Sequence, residues 1–107
     1  MTLEKRLEDL KNRCENAGFE YVYGNFEEET PPPHIATKII DSDNLMADNK
    51  VYYQSAYIKM DYTYKKKNIE EQQKIENEIL SEFTWNKGEE TYLHNSEVWQ
   101  VSYYFVL

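Results

Sequence analysis

A chain of 107 residues, 40% apolar and 30% charged, has the composition of one globular domain with one modest core. Its 10 tyrosines and 2 tryptophans set it apart from disordered chains, which are poor in aromatics. A net charge of −8 argues against non-specific nucleic-acid binding and against attraction to anionic membranes, both of which need clustered lysine and arginine. The single cysteine, Cys14, excludes an internal disulfide. The opening MTLEKRLEDL lacks the apolar stretch of a signal peptide, and no apolar run approaches the roughly 20 residues of a membrane span. An intracellular, reducing location is the expectation.

Leu3, Leu7, Leu10, Cys14 and Ala17 form the stripe of an amphipathic helix over residues 2–17. Thr2 is its N-cap, Asp9 can pair with Arg13 one turn on, and Gly18 stands where a C-terminal glycine belongs. Cys14 lies on that stripe, which favours a packed, inert thiol over a nucleophile. Phe19–Tyr23 reads as a short strand ended by Gly24. The acids and prolines of 27–33 can be neither helix nor central strand, since proline lacks an N–H and holds the preceding residue extended. His34–Asp41 is expected as a second strand and Ser42–Asn49 as a loop.

Val51–Lys65 is the longest extended stretch. From Ala56 onward, Ala56, Ile58, Met60, Tyr62 and Tyr64 share one face, and the alternate residues share the other, wet face. Gln54 and Ser55 are polar neighbours that suggest a bulge just before it. Asn68 and Glu71 form a capping box for a second helix at 69–82, with Ile69, Ile75, Ile79, Leu80 and Phe83 as its stripe. Thr84–Trp85 and Glu90–His94 read as a short strand broken by a turn at Lys87-Gly88, and Val98–Leu107 as a closing strand. The fold class is α+β, in one domain over 1–107. Its architecture is a single mixed or antiparallel sheet of about four to five strands with two helices packed on one face.

Catalytic and metal chemistry finds little purchase. A calcium loop starting at Asp41 would need a ligand where Leu45 sits, glycine where Met46 sits and glutamate where Tyr52 sits. His34, His94 and Cys14 have no metal-ligand spacing, and three scattered glycines cannot build a phosphate loop. No nucleophile–base arrangement is legible, so neither a metal nor a cofactor is expected, and the chain does not read as an enzyme. Lys65-Lys66-Lys67 has no second basic segment beside it and reads as a solvated strand-to-helix turn. The tyrosines say more. Tyr52, Tyr53, Tyr57 and Tyr104 lie on extended segments, and several cannot all face one small core, so some of them suit an interface; plain strand propensity accounts for part of the pattern.

Four segments, TPPPHI (30–35), ADNKVYY (47–53), YTYKKKNIEEQQKIENEIL (62–80) and WQVSYYF (99–105), follow in an order that resembles a known family. These are the small tail-terminator, or tail-completion, proteins of long-tailed phages and prophages of Gram-positive bacteria. The likeness runs along nearly the whole chain. His34 departs from it by replacing a more usual aromatic, and the glycine often found before ADNK is missing; both bear on loop geometry. The resemblance implies a virion structural protein that forms a ring, a hexamer, on the head-proximal end of the tail tube. That ring ends tube polymerisation and offers the docking surface for the head connector. The implied partners are copies of itself, the tail tube protein and the head–tail connector proteins, with DNA only passing through the lumen and no membrane. The implied location is the virion tail, after assembly in the host cytoplasm.

The same resemblance assigns interface roles to two segments. They are the stiff segment Thr30–Pro33 and the loop Asp41–Asn49, and the expected interface residues in and beside them are Pro31, Pro32, Pro33, His34, Asp48, Asn49, Lys50, Tyr52, Tyr53 and Tyr57. Stiffness lowers the entropy lost on assembly. The competing reading is a small acidic inhibitor or DNA mimic that presents carboxylates to a basic partner.

Overall fold

In the computed structural model, which describes residues 2–47 and 50–107, two helices lie on one face of a six-stranded mixed sheet. Helix α1 (Leu3–Asn16) begins where the Thr2 hydroxyl accepts the Lys5 N–H at 3.2 Å. It buries Leu10 and Cys14 on the anticipated stripe. Arg13 bonds Asp9 at 3.1 Å and Glu82 at 2.7 Å, tying α1 to the end of the second helical segment. Gly18, at φ +94°, turns the chain into β1 (Glu20–Tyr23).

Strand β2 (His34–Ala47) runs parallel to β1, so residues 24–33 form a crossover without a helix. Gly24, at φ +90°, starts it, and its N–H bonds Thr37 O at 2.7 Å. The prolines fill its second half, and the Pro32–Pro33 peptide is cis. β3 (Lys50–Tyr64) returns antiparallel to β2. β6 (Val98–Val106) then pairs with β3, and β4 (Trp85–Lys87) and β5 (Thr91–Leu93) both pair with β6. The strand broken near Lys87-Gly88 is thus found, as β4 and β5 on one edge of β6. Gly88 N–H bonds Ser102 O at 2.8 Å across the break.

The expected loop at 42–49 is overturned. β2 stays paired with β3 as far as Ala47 opposite Lys50, with Asp48 and Asn49 outside the described residues. The sequence hid this because a two-stranded ribbon that adds no strand to the core is not held to the core's alternation. β1 reaches along β2 only to Thr37, and β6 along β3 only to Tyr57. Beyond Asp41 and Ala56 the two strands therefore pair with each other alone, as an arm about 20 Å long at ~3.3 Å per residue. The chain accordingly measures 51 Å along its longest axis against 26 and 23 Å across. The bulge expected at Gln54-Ser55 is misplaced, since those residues pair regularly with Asn44 and Asp43. The register shifts lie instead at Ile40 in β2 and at Tyr52 in β3.

The predicted alternation on β3 is borne out. Ala56, Ile58, Met60, Tyr62 and Tyr64 are all buried, as are Val101, Tyr103 and Phe105 beside them on β6. This face packs against Leu10 and Cys14 of α1 and Ile75, Ile79 and Leu80 of the second helical segment. Burial at roughly 25 cal/mol per Å² of apolar surface makes this layer the main source of stability. The second helix differs from expectation. After α2 (Ile69–Lys74), capped by Asn68 accepting Glu71 N–H at 3.1 Å, it widens into a π-helical turn over Ile75–Ile79. Ile69 is 63% exposed and drops out of the stripe, while Gln72, Ile75, Ile79 and Leu80 are buried.

Candidate interaction surfaces

The anticipated stiff segment lines a real cleft. Pro31, Pro32 and His34 form one wall with Phe26, and Thr63, Val98 and Gln100 of the sheet's open face form the floor, enclosing about 540 Å³. Glu28 and Glu29 stand at its lip. The His34 ring packs edge-on to Phe26 at 4.8 Å between centroids. Burial holds its imidazole below the ordinary histidine value, and the nearby carbonyls of Pro31 and Thr30 pull the other way. Its Nδ1 is buried and makes no well-formed hydrogen bond. Pro33 does not line the cleft; it leads the chain into β2. The crossover also explains why Thr63, expected on the wet face, is only 5% exposed.

Tyr57 lies elsewhere. His34 stands opposite Thr63 and Asp41 opposite Tyr57, six residues along β3, which places Tyr57 about 20 Å from the cleft. There, at the root of the arm, Ile40, Tyr57, Tyr104 and Val106 border a depression of about 200 Å³, and each is more than a third exposed. Lys50, Tyr52 and Tyr53 belong to the arm's β3 strand, farther out still. The expected interface residues therefore divide between two ends of one long molecule, rather than forming one patch.

The open face carries Lys38, Lys59 and Asp61, the last bonded by the Ser102 hydroxyl at 2.5 Å. On the helix side, α1 balances Glu4, Glu8, Asp9 and Glu15 with Lys5, Arg6, Lys11 and Arg13, whereas the second helical segment sets Glu70, Glu71, Glu76, Glu78 and Glu82 against Lys74 alone. The second helical segment is thus the most acidic part of the helix side, which a composition of −8 alone could not tell.

Three buried tyrosines reach through the core to carboxylates at its rim. Tyr62 donates to Glu71 at 2.6 Å, Tyr103 to Glu76 at 2.7 Å, and Tyr64 to Glu90. Burial, followed by the neighbouring carboxylate, pushes each of these phenols well above its ordinary value, so they stay protonated donors. Lys87 bridges Glu76 and Gln72, each at 3.0 Å. This network satisfies polar tips on large apolar bodies, and its chemistry is that of a scaffold. Cys14, its thiol pushed up to about 12 by burial, is equally inert. Among the described residues no group of three His, Cys, Asp or Glu side chains could hold a metal ion, and no helix is long and apolar enough to cross a membrane.

One surface escaped the sequence reading. Leu7 of α1 and Tyr21 and Tyr23 of β1 floor an apolar groove of about 290 Å³ between the helix and the sheet edge. The signal was there in the Tyr-Val-Tyr alternation of 21–23, but only the strand order reveals that β1 is an edge. No protein-family model matches this chain, and no curated protein matches it at a significant level.

Proposed function

We propose that this protein is a structural part of a long-tailed phage, a tail terminator that closes as a ring on the head-proximal end of the tail tube and offers the head connector its docking surface. The phage assignment rests on the four sequence segments that resemble that family. The observation that supports an assembly role is the arm. A two-stranded ribbon that leaves the sheet and contributes no strand to the core stabilises its own fold little, since isolated two-stranded hairpins are marginal in water. Its unpaired edges suit pairing with another chain. The acids of the second helical segment would then suit a lumen through which DNA slides without sticking.

The test is electron microscopy of particles induced from a lysogen that lacks this gene, complemented with either the full chain or a chain whose residues 43–54 are replaced by a tight turn. The expected result is overlong tubes or headless tails without the gene, rescue by the full chain, and no rescue by the arm-trimmed chain despite cooperative unfolding at an unchanged melting temperature. Normal infectious particles without the gene would refute the reading and bring forward the acidic-inhibitor alternative.

A further inference from the structure

The geometry points to the groove between α1 and β1 as the receptor for the arm of a second copy of this chain, taken up as an added strand on the free edge of β1. This names a contact by which the proposed ring would close, and so rests on self-association, though not on the phage tail. β1 is the last strand of the sheet. Gly24 N–H turns inward to Thr37 O, so by the alternation of a strand Val22 and Glu20 also turn inward. Tyr21 and Tyr23 then direct their N–H and C=O groups outward, to the side of β1 on which no described strand pairs. Their rings lie on the helix side with Leu7, and Tyr23 is 52% exposed. Edge strand, adjoining helix and apolar floor together form the arrangement in which an extended segment adds to a sheet: backbone bonds give affinity and the groove selects side chains.

Charge chooses the occupant. Glu4 and Glu8 flank the floor, with Lys11 the one cation beside them. The arm offers two free edges of opposite character. Its β2 edge, 41–47 (DSDNLMA), carries two acids and no base, while its β3 edge, 50–55 (KVYYQS), carries one lysine, two tyrosines and no acid. The β3 edge therefore fits an acid-rimmed, apolar groove, and the β2 edge is repelled by it. Groove and arm are different surfaces of the same chain, so the contact can run head-to-tail, the kind that closes rings when its rotation permits.

The experiment is a titration of the isotope-labelled full chain with two capped peptides, Lys50–Tyr57 and, as a control, Asp41–Ala47, followed by NMR. The Lys50–Tyr57 peptide is expected to shift the Tyr21 and Tyr23 amides and slow their hydrogen exchange, while the acidic control does neither. Glu8→Lys, a fully solvent-facing change, is expected to weaken binding about three- to five-fold, within the range of an exposed ion pair. Absence of shifts at millimolar peptide, equal response to both peptides, or shifts confined to the Pro31–His34 cleft would each overturn the assignment. The two readings fail separately. Peptide binding at β1 with normal particles from the gene-deleted lysogen sinks the phage role and keeps the contact; overlong tails without peptide binding sink the contact and keep the role.

Discussion

Glu90 gives the sharpest test of how the core's polar rim is held. Its carboxylate accepts from both Lys67 and the buried hydroxyl of Tyr64, and these two donors, Lys67 first, hold its pKa below the ordinary glutamate value. The Lys67 side chain is 52% exposed, so that pair contributes little after solvent screening. The Tyr64 bond lies deeper. A hydrogen bond to a charged group contributes about 1.5–3 kcal/mol, roughly twice a neutral one, so Glu90→Gln, which keeps an acceptor but loses the charge, should cost about 1 kcal/mol. For a domain near this size that lowers the melting temperature by about 4–8 °C at neutral pH. The pH dependence carries the proof. A depressed folded-state pKa means that the stabilisation is fully present above the unfolded value, about 4.3, and is lost as pH falls through the lower folded value. Melting curves of parent and variant should therefore differ at neutral pH and converge at about pH 2. A gap that persists undiminished in acid would refute a charge-based role for Glu90, and no gap at neutrality would refute the bond itself.

Two further outcomes follow from the described geometry. The Cys14 thiol, fully buried and pushed up to about 12, should react with a thiol reagent only as fast as the domain unfolds; rapid labelling under native conditions would contradict its place in the core. Gly24 sits at φ +90° with open space around it, so Gly24→Ala should cost only backbone strain, about 1–2 kcal/mol, seen as a lower denaturation midpoint with an unchanged slope; a larger loss would refute strain as the whole cost.

What the sequence made legible is what the core paid attention to. Ala56 to Tyr64 alternates because one face of β3 is sealed by helices, and Leu3 to Ala17 keeps helical spacing because α1 lies on that seal. Where burial gives no instruction, the reading failed. Ser42–Ala47 lies on a ribbon outside the core, so no alternation of apolar and polar residues marks it as strand rather than loop. The six-residue gap from Ile69 to Ile75 does not suit a 3.6-residue period, and Ile69 accordingly lies exposed, off the buried stripe. The interface residues suffered most. Pro31, Pro32 and His34 do meet in one cleft, but the distance of Tyr57 from them depends on strand register, and the groove at Leu7, Tyr21 and Tyr23 depends on which strand ends the sheet.

The register shift at Ile40 separates the hereditary fates of arm and core. Up to it, odd-numbered Ile35, Thr37 and Ile39 stand opposite the buried Tyr62, Met60 and Ile58; beyond it, even-numbered Ser42 stands opposite Ala56. One supernumerary residue thus acts as a phase adjuster between two halves of a single strand. Drift within either half is tolerated by the other, since each keeps its own parity. Loss of that one codon is a different matter: it would exchange inside for outside along everything on one side of it, a change that no single substitution in the strand could imitate.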